Sequence, residues 1–440
     1  MGTMESVKKF GKGVMNTARV VAGQQIKKPH AQSQPGKPVH VFVSGILGTG
    51  EYSSFEHILP YWGLTHGDIL QEAEHHGYEC YAASCGPFSS AWDRACELFA
   101  QLTGGVVDYG EAHSRQYGHK RYGRVYPALF EGWSTEKPVH LLGHSFGGAT
   151  VRLFALLCAE GSEEERVVTP PGELSPLFGG GMRGRVLTVT CLASPHNGTT
   201  AICTIQKDQP LWPFYPVYTL LLLCGTTPVA NSLYDVHLEQ FGLSNPAGKF
   251  FGHVYNPVRM KKFLESRDHA TADLSLDGAA ALNRRTPLRP ELYYFSYPCV
   301  ATHNAMGDRK LPSFKEFKNP LLGFYGAQMG MGFGFAQVKK SLDDGNEILD
   351  PMWLQNDMAV PLASSMYPLE QAHRDRAYGE EAPPAPGVWN VMPTKYDVDH
   401  GYYCGWDPNN TNMDELVAFY LRHFRLLEQA VAQKTEAAAA

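Results

Sequence analysis

A serine lies between two glycines at a point where one apolar pattern ends and another begins. Residues 143–147 read Gly-His-Ser-Phe-Gly, after the apolar run 139–142 and before a helical pattern at 149–157. A strand, a Gly-x-Ser-x-Gly turn and a helix hold the serine hydroxyl at the apex of a sharp turn, where it can act as a nucleophile. The sequence therefore predicts Ser145 as a nucleophile and the Phe146 amide, at the helix N-terminus, as an oxyanion donor.

Two later residues can supply the base and the acid that such a serine needs. His400 lies in a loop ahead of the C-terminal helical pattern, and Asp357 lies between it and the serine. His400 would take the Ser145 proton, while Asp357 would fix the imidazole tautomer. Asp397 and Asp399 are alternative acids, but they lie too near His400 in sequence to orient its far nitrogen easily. The order Ser, Asp, His is typical of α/β-hydrolases.

A second oxyanion donor is expected from the loop after an early strand. The apolar run Val39–Val43 predicts a buried strand, and a glycine-rich loop follows at residues 44–50. The Ile46 backbone amide is the predicted donor. A glycine-rich loop without any catalytic role is the alternative interpretation.

Several further segments match one known family in register. They are residues 61–63, 67–69, 85–90, 92–97, 104–110, 122–127, 193–200 and 272–275. With them the chain resembles the thermostable bacterial true lipases of the bacillus and staphylococcal type over roughly residues 38–430. The resemblance implies an α/β-hydrolase fold with a mostly parallel central sheet, helices on both faces, a zinc-stapled insertion and a helical lid.

The resemblance also implies a structural metal site. At the matching positions the family binds zinc, and here those positions hold Asp93, His113, His119 and Asp273. Two imidazoles and two carboxylates complete a four-coordinate shell, which leaves no place for a reactive water. Without the resemblance, two histidines six residues apart would also fit an ordinary protein surface.

The calcium site of the family carries over less well. Asp407 matches the end of that site, but Tyr402 stands where the family places a glutamate ligand. A tyrosine is a poor ligand for a hard cation that prefers carboxylate and carbonyl oxygens. The sequence therefore does not predict calcium as a cofactor.

Length and composition are compatible with one large catalytic domain at 38–430. The chain has 440 residues, a net charge of −6 and nine cysteines, most of them in apolar runs. The charge gives no reason to expect nucleic acid as a partner. An odd number of cysteines, most of them in apolar segments that are expected to be buried, predicts reduced thiols in a reducing compartment.

Three segments carry separate predictions. Residues 211–224 are too short and too rich in proline to span a bilayer, and they are predicted as the lid; a buried core helix is the alternative.

Residues 1–37 form an extension in which Gly2 and Ser6 fit the myristoylation pattern beside several lysines. This predicts an intracellular, cytoplasmic protein attached peripherally to a membrane, and a disordered tail is the alternative. Residues 431–440 are predicted as a disordered tail.

Together these features predict a serine carboxylester hydrolase that cleaves acyl esters of glycerolipids such as triacylglycerol. Its expected partners are a lipid ester substrate and a lipid surface or membrane. A phospholipase or galactolipase is the alternative among enzymes, because the serine turn does not specify a headgroup. A non-catalytic hydrolase-fold protein that binds a lipid or acts as a scaffold is the alternative from another class.

Overall fold

The computed structural model describes the predicted hydrolase region with several gaps. It describes residues 37–53, 56–57, 59–64, 66–202, 234–243, 257–305, 307, 309–312, 326–327, 329–332, 351–407 and 410–439. The extension at 1–36 and the predicted lid at 211–224 lie outside these residues. No helix within the described ranges is both long and apolar enough to cross a bilayer.

Seven strands form a central parallel sheet. The strands of the described chain are β1 (Val39–Val43), β2 (Cys80–Ala83), β3 (Gly105–Asp108), β4 (Tyr122–Tyr126), β5 (Val139–His144), β6 (Val186–Leu192), β7 (Tyr293–Tyr297), β8 (Cys299–Val300), β9 (Thr302–Asn304), β10 (Lys310–Pro312), β11 (His373–Asp375), β12 (Trp389–Val391) and β13 (Lys395–Tyr396). The central order is β11-β12-β7-β6-β5-β1-β2, and neighbouring strands are parallel throughout. The pairs β3/β4 and β9/β10 are antiparallel, and β8/β13 is parallel.

Helices cover the sheet, and the last one is longer than predicted. The helices of the described chain are α1 (Ile69–His75), α2 (Ala91–Thr103), α3 (Glu111–Tyr117), α4 (Gly147–Glu160), α5 (Glu163–Val168), α6 (Pro176–Gly179), α7 (Pro257–Ser266), α8 (Ala270–Asp273), α9 (Leu276–Arg285), α10 (Pro351–Leu354), α11 (Leu362–Met366) and α12 (Met413–Ala439). Helix α12 includes most of the tail predicted from residue 431. This prediction differs from the structure because alanine, which ends the chain, has the highest helix propensity.

The alternation of side chains along β1 builds a hydrophobic layer on each face of the sheet. Val41 packs on one face with Leu98 of α2 and Phe154 of α4. Phe42 points to the other face and packs in the layer that contains Tyr420 of α12. Successive strand residues point to opposite faces, so a continuous apolar run is buried on both sides. The structure confirms the predicted parallel sheet with helices on both faces.

The cysteines of the described chain are unpaired. Seven of them are free and buried. This agrees with the prediction of reduced, buried thiols from their apolar sequence context.

Three buried histidines lie where α12 packs on the sheet, and one of them, His423, belongs to α12 itself. His40 and His140 occupy paired positions on β1 and β5, with ring centroids 5.0 Å apart. His140 Nδ1 lies 2.9 Å from Thr188 Oγ1, and His423 Nε2 lies 2.8 Å from Thr190 Oγ1. Burial lowers the pKa of both His140 and His423 to about 3. Burial, with His140 and His423 nearby, also holds the pKa of His40 well below its usual range.

These histidines predict acid lability with a defined sign. A histidine in the unfolded chain binds a proton near pH 6.5, whereas these three stay neutral in the folded state. Stability is therefore fully present above pH 6.5 and is lost as the pH falls, by about 1.4 kcal/mol per pH unit for each histidine. His423→Gln should reduce the slope of unfolding free energy against pH by about that amount, measured by urea denaturation between pH 7 and 4.

The matched control is a surface histidine. The side chain of His75 is 63% exposed, so His75→Gln should retain the wild-type slope. If His423→Gln and wild type lose stability in parallel below pH 6.5, the buried histidines are not the source of the lability.

Candidate active site and metal cluster

The serine turn is as sharp as its glycines allow. Ser145 has a φ of 53°, in the left-handed region that non-glycine residues rarely adopt. A Cβ on Gly143 would lie 2.4 Å from the Gly147 carbonyl carbon, and a Cβ on Gly147 would lie 2.2 Å from the Val43 carbonyl oxygen. Both positions therefore accept only glycine, and the turn packs directly onto β1. The Ser145 amide donates to the Leu192 carbonyl on β6 at 2.9 Å.

Ser145, His400 and Asp357 form a continuous line of hydrogen bonds. His400 Nε2 lies 2.8 Å from Ser145 Oγ, and His400 Nδ1 lies 2.8 Å from Asp357 Oδ2. The second oxygen of Asp357 accepts the backbone N–H of Ala359 at 2.9 Å and of Val360 at 2.7 Å. These bonds orient the fully buried carboxylate toward the imidazole. The structure thus brings together the three residues predicted as the triad.

The electrostatics of His400 suit a general base. Burial alone lowers the pKa of His400, but the Asp357 carboxylate and its hydrogen bond outweigh burial and raise it. Because Asp357 accepts from Nδ1, the neutral ring carries its proton there and leaves Nε2 free to accept from Ser145. The arrangement can remove a proton from Ser145 and stabilise the imidazolium that results.

The two alternative acids point elsewhere. Asp399 Oδ1 accepts the Gly401 N–H at 2.8 Å, and burial raises the pKa of Asp399 to about 7, with Asp407 adding to the shift. Asp397 Oδ1 lies 3.6 Å from His303 Nδ1. Neither carboxylate replaces Asp357 at the His400 ring.

Asp407, which matches the end of the family's calcium site, is hydrogen-bonded to other groups of the protein. Asp407 Oδ2 accepts the Asp399 N–H at 3.0 Å and the Asn410 side-chain amide at 2.9 Å. Tyr402 begins a short 3-10 turn, Tyr402–Cys404, and is buried. Asp407 therefore serves to fix the loop that follows His400.

The predicted oxyanion loop lies against the nucleophile. A Cβ on Gly45 would lie 2.7 Å from Ser145 Cβ, so the loop backbone contacts the serine side chain. Phe146 is fully buried at the start of α4, and Ile46 is half-buried. Among the described residues no protein acceptor is found for the backbone N–H of Ile46 or Phe146. Both amides are thus available for an oxyanion beside Ser145.

A buried arginine clamps this loop, and sequence reasoning did not find it. Arg94 is fully buried and donates to the Ser44 carbonyl at 2.5 Å, the Gly86 carbonyl at 2.7 Å and Thr150 Oγ1 at 2.9 Å. Its guanidinium also lies 5.4 Å from the centroid of the Phe146 ring. The sequence connects segment 92–97 only with the family resemblance, and no local pattern there indicates that Arg94 is buried. Its fork of donors holds three separate segments together.

A second cluster of polar side chains lies in the insertion. Asp93 belongs to α2, His113 to α3, His119 follows α3, and Asp268 precedes α8. One ligand atom from each lies within 4.8 Å of the others. His113 Nε2 is 3.3 Å from Asp93 Oδ1 and 3.2 Å from Asp268 Oδ2, while His119 Nε2 is 3.1 Å from Asp268 Oδ2.

The atoms of this cluster suit a cation. Asp93 Oδ1 and His119 Nε2 are close to their neighbours in the cluster, but these contacts lack hydrogen-bond geometry, and within the described residues neither buried atom has a hydrogen-bond partner. His119 Nδ1 donates to the Lys120 carbonyl at 2.9 Å, which leaves the Nε2 lone pair directed into the cluster. Burial alone would lower the pKa of His113, yet Asp268 and Asp93 raise it to about 9, which reflects the negative charge of two carboxylates that a bound cation would neutralise. The cluster can therefore hold a four-coordinate metal ion.

The structure corrects one of the predicted ligands. Asp273 lies outside the cluster, where its Oδ2 accepts the Ala91 N–H at the first turn of α2 at 2.7 Å. The carboxylate is thus occupied as a cap at the positive end of that helix. Asp268, five residues earlier and buried, is the fourth residue of the cluster. The spacing of Asp268 and Asp273 in the sequence does not show which of them joins the cluster. The reason is that α8 begins between them and turns their side chains in different directions.

Residues on both sides of the predicted lid contact the site. Thr199 Oγ1 donates to the Ala359 carbonyl at 2.6 Å, next to the triad acid. Tyr234 donates to the Leu47 carbonyl in the oxyanion loop at 2.8 Å. The segment between them, 203–233, lies outside the described residues, and the lid stays a prediction.

Comparisons with known proteins find similarity to bacterial lipases. A family model described as lipase-like, C-terminal domain, matches residues 36–437. The chain is 32% identical over 414 residues to lipase 1 of Staphylococcus aureus strain MRSA252, covering 93% of this chain and 57% of that protein. It is 33% identical over 384 residues to a lipase of Staphylococcus epidermidis, covering 86% and 52%. The chain thus spans about half the length of these relatives.

Solved structures share the fold over nearly their whole length. The Staphylococcus hyicus lipase aligns with a TM-score of 0.75 and 29% identity, covering 91% of this chain and 99% of that one. Lipase 1 from Pelosinus fermentans aligns with a TM-score of 0.67 and 33% identity, covering 88% and 98%. These similarities confirm the predicted α/β-hydrolase fold.

The corrected ligand set is tested by metal content. Asp268→Asn should lose most of the bound metal, because an amide is a weaker ligand than a carboxylate. Asp273→Asn is the matched variant, which should keep about one equivalent while losing part of the helix cap. Elemental analysis of both purified variants distinguishes them. Full metal content in Asp268→Asn together with loss in Asp273→Asn would restore the original assignment.

Proposed function

The chain belongs to the lipase-like, C-terminal domain family, and on this basis we propose that it is a serine carboxylester hydrolase of glycerolipids such as triacylglycerol. The observation that carries the proposal is the aligned line from Ser145 Oγ through His400 to Asp357, with both bonds at 2.8 Å. The named lipases among its relatives support an acyl ester as the substrate class.

The geometry supports an acyl-enzyme mechanism. Ser145 Oγ attacks the ester carbonyl carbon while His400 Nε2 takes the hydroxyl proton, and the Ile46 and Phe146 amides bind the oxyanion. Collapse breaks the ester bond, and the leaving alcohol takes the proton from His400. A water then gives a proton to His400 and attacks the acyl carbon. The fatty acid leaves as Ser145 regains its proton, which returns the enzyme to its starting state.

Two other activities are compatible with parts of the site. A phospholipid or galactolipid ester would undergo the same steps, because none of them involves a headgroup. A non-catalytic protein that binds lipid or acts as a scaffold would not need the His400–Asp357 pair, which is fully hydrogen-bonded beside Ser145. The intact triad therefore favours an enzyme over a binding protein.

We also propose zinc as the ion of the Asp93, His113, His119 and Asp268 cluster. The orphaned Asp93 Oδ1 and His119 Nε2 support this, as does a donor set of two imidazoles and two carboxylates. When bound, zinc would supply cross-linking of α2, α3 and the segment before α8. The protein ligands fill the shell, so the contribution is to stability and not to ester cleavage.

A membrane attachment of the N-terminal extension is proposed from its sequence. Gly2 and Ser6 fit the acylation pattern, and Lys8, Lys9 and Lys12 follow within one short stretch. One myristoyl chain binds a bilayer only reversibly, and basic residues supply the second signal. The proposal places the chain at the cytoplasmic face of an anionic membrane.

The triad is tested by probe labelling and turnover. Ser145→Ala should abolish labelling by a fluorophosphonate and reduce ester hydrolysis by several orders of magnitude, as should His400→Ala. Asp357→Asn should cost somewhat less than or about as much as those changes, while Asp399→Asn, the matched control, should retain activity. Near wild-type turnover in Asp357→Asn with loss in Asp399→Asn would identify Asp399 as the acid. Wild-type protein that neither labels nor hydrolyses esters would favour the non-catalytic alternative.

The membrane proposal is tested by fractionation of cells. Gly2→Ala should move the protein from the membrane fraction to the soluble fraction, because acylation needs Gly2. High salt should release part of the wild type, since it screens the basic residues and leaves the acyl chain in place. Hydrolysis of a soluble short-chain ester should not change. Equal fractionation of the two proteins, or an unacylated N-terminus by mass spectrometry, would contradict the anchor.

A further inference from the structure

Two buried side chains connect the oxyanion loop to the loop that carries His400. The Gly45 N–H donates to the Tyr61 hydroxyl at 2.9 Å, and that hydroxyl lies 2.7 Å from His144 Nδ1. On the other side of the ring, His144 Nε2 lies 2.8 Å from the His400 carbonyl oxygen. Tyr61 is 4% exposed and His144 is 2% exposed, so water does not compete for these bonds.

The donor and the acceptor of every hydrogen bond between Gly45 and His400 are determined. The His400 carbonyl can only accept, so His144 Nε2 carries the proton. Burial, with His400 nearby, holds the pKa of His144 well below its usual range, so Nδ1 carries none. Nδ1 must therefore accept from the Tyr61 hydroxyl, whose oxygen accepts from Gly45. The donors run in one direction from the oxyanion loop to the histidine loop.

Both ends of this series of hydrogen bonds, the Tyr61–His144 chain, act on atoms next to the reacting groups. At one end Gly45 lies against Ser145, and its carbonyl belongs to the same peptide unit as the Ile46 amide. At the other end the backbone of His400 is held twice, since its N–H donates to the Asp357 carbonyl at 2.8 Å and its carbonyl accepts from His144. A shift of either end would change the alignment of nucleophile, base and oxyanion donor.

We propose that Tyr61 and His144 are positioning residues that set the oxyanion loop and the His400 loop in register for acyl transfer. The inference rests on the proposed function, because register matters only if Ser145 reacts. Binding of the ester before attack does not depend on this alignment, whereas the transition state does. Loss of the Tyr61–His144 hydrogen bonds therefore lowers kcat and leaves KM unchanged.

The test is a pair of matched tyrosine variants of the full chain. Tyr61→Phe removes one hydroxyl and leaves the ring. Tyr294→Phe is the control, because the Tyr294 hydroxyl also accepts a backbone N–H, that of Arg289 at 3.0 Å, and is likewise buried. On a soluble p-nitrophenyl ester, Tyr61→Phe should lower kcat by about 10- to 100-fold with KM within about twofold, and Tyr294→Phe should leave both within about twofold.

Phosphonylation of Ser145 gives a second readout. The phosphoryl oxygen of a fluorophosphonate gains negative charge in the oxyanion site as Ser145 attacks, so the rate of this reaction should fall with kcat in Tyr61→Phe and stay constant in Tyr294→Phe. A Tyr61→Phe protein with a lower melting temperature but wild-type kcat and labelling rate overturns the proposal, since the hydroxyl would then serve folding alone. Wild type that fails to hydrolyse or label overturns the proposed function as well.

A histidine variant keeps the proposal testable if Tyr61→Phe does not fold. His144→Phe removes both bonds of the ring and should show the same loss of kcat at constant KM. Because the links act in series, the double variant should be no slower than the slower single variant. If the two losses in kcat multiply in the double variant, Tyr61 and His144 act independently of each other. That outcome overturns the proposal.

Discussion

The contact between the serine turn and β1 determines the geometry of the whole site. Gly147 lies so close to the Val43 carbonyl that a methyl group there would overlap the backbone. This approach joins β1, β5 and α4 into one unit. Ser145 follows β5, the predicted oxyanion loop follows β1 and the Phe146 amide lies at the start of α4, so one packing contact fixes three parts of the proposed acyl-transfer site. The left-handed conformation of Ser145 is the strain that accompanies it.

Buried polar groups hold the surrounding loops through several hydrogen bonds each. A buried charge or polar atom is costly unless it is hydrogen-bonded, which makes such networks rigid once complete. Arg94 satisfies this on the oxyanion side and Asp357 on the histidine side. Asp93, the neighbour of Arg94 on α2, belongs to the metal cluster. One helix therefore carries both the arginine that holds the predicted oxyanion loop and a residue of the Asp93, His113, His119 and Asp268 cluster.

Much of the fold was predictable because the signals were local. The β5 strand, the glycines around Ser145 and the helical pattern after them are consecutive, and their chemistry allows few alternatives. The choice of Asp357 over Asp399 also followed from distance along the chain, since a carboxylate next to His400 cannot easily reach the far side of its ring. The extent of α12 was missed because alanine residues at a chain end resemble a frayed tail in composition.

The sequence by itself determined the strand–turn–helix unit, the order of the three candidate catalytic residues and the two histidines of the insertion. Tertiary structure alone decided which distant groups meet. Asp268 and Asp273 are equivalent in type and close in sequence, but only the path of the chain into α8 turns one toward the histidines and the other toward Ala91. The Tyr61–His144 chain was hidden for the same reason: its bonds cross 16, 83 and 256 residues of sequence. Contacts of that range depend on how loops pack at the edge of the sheet, which no local pattern encodes.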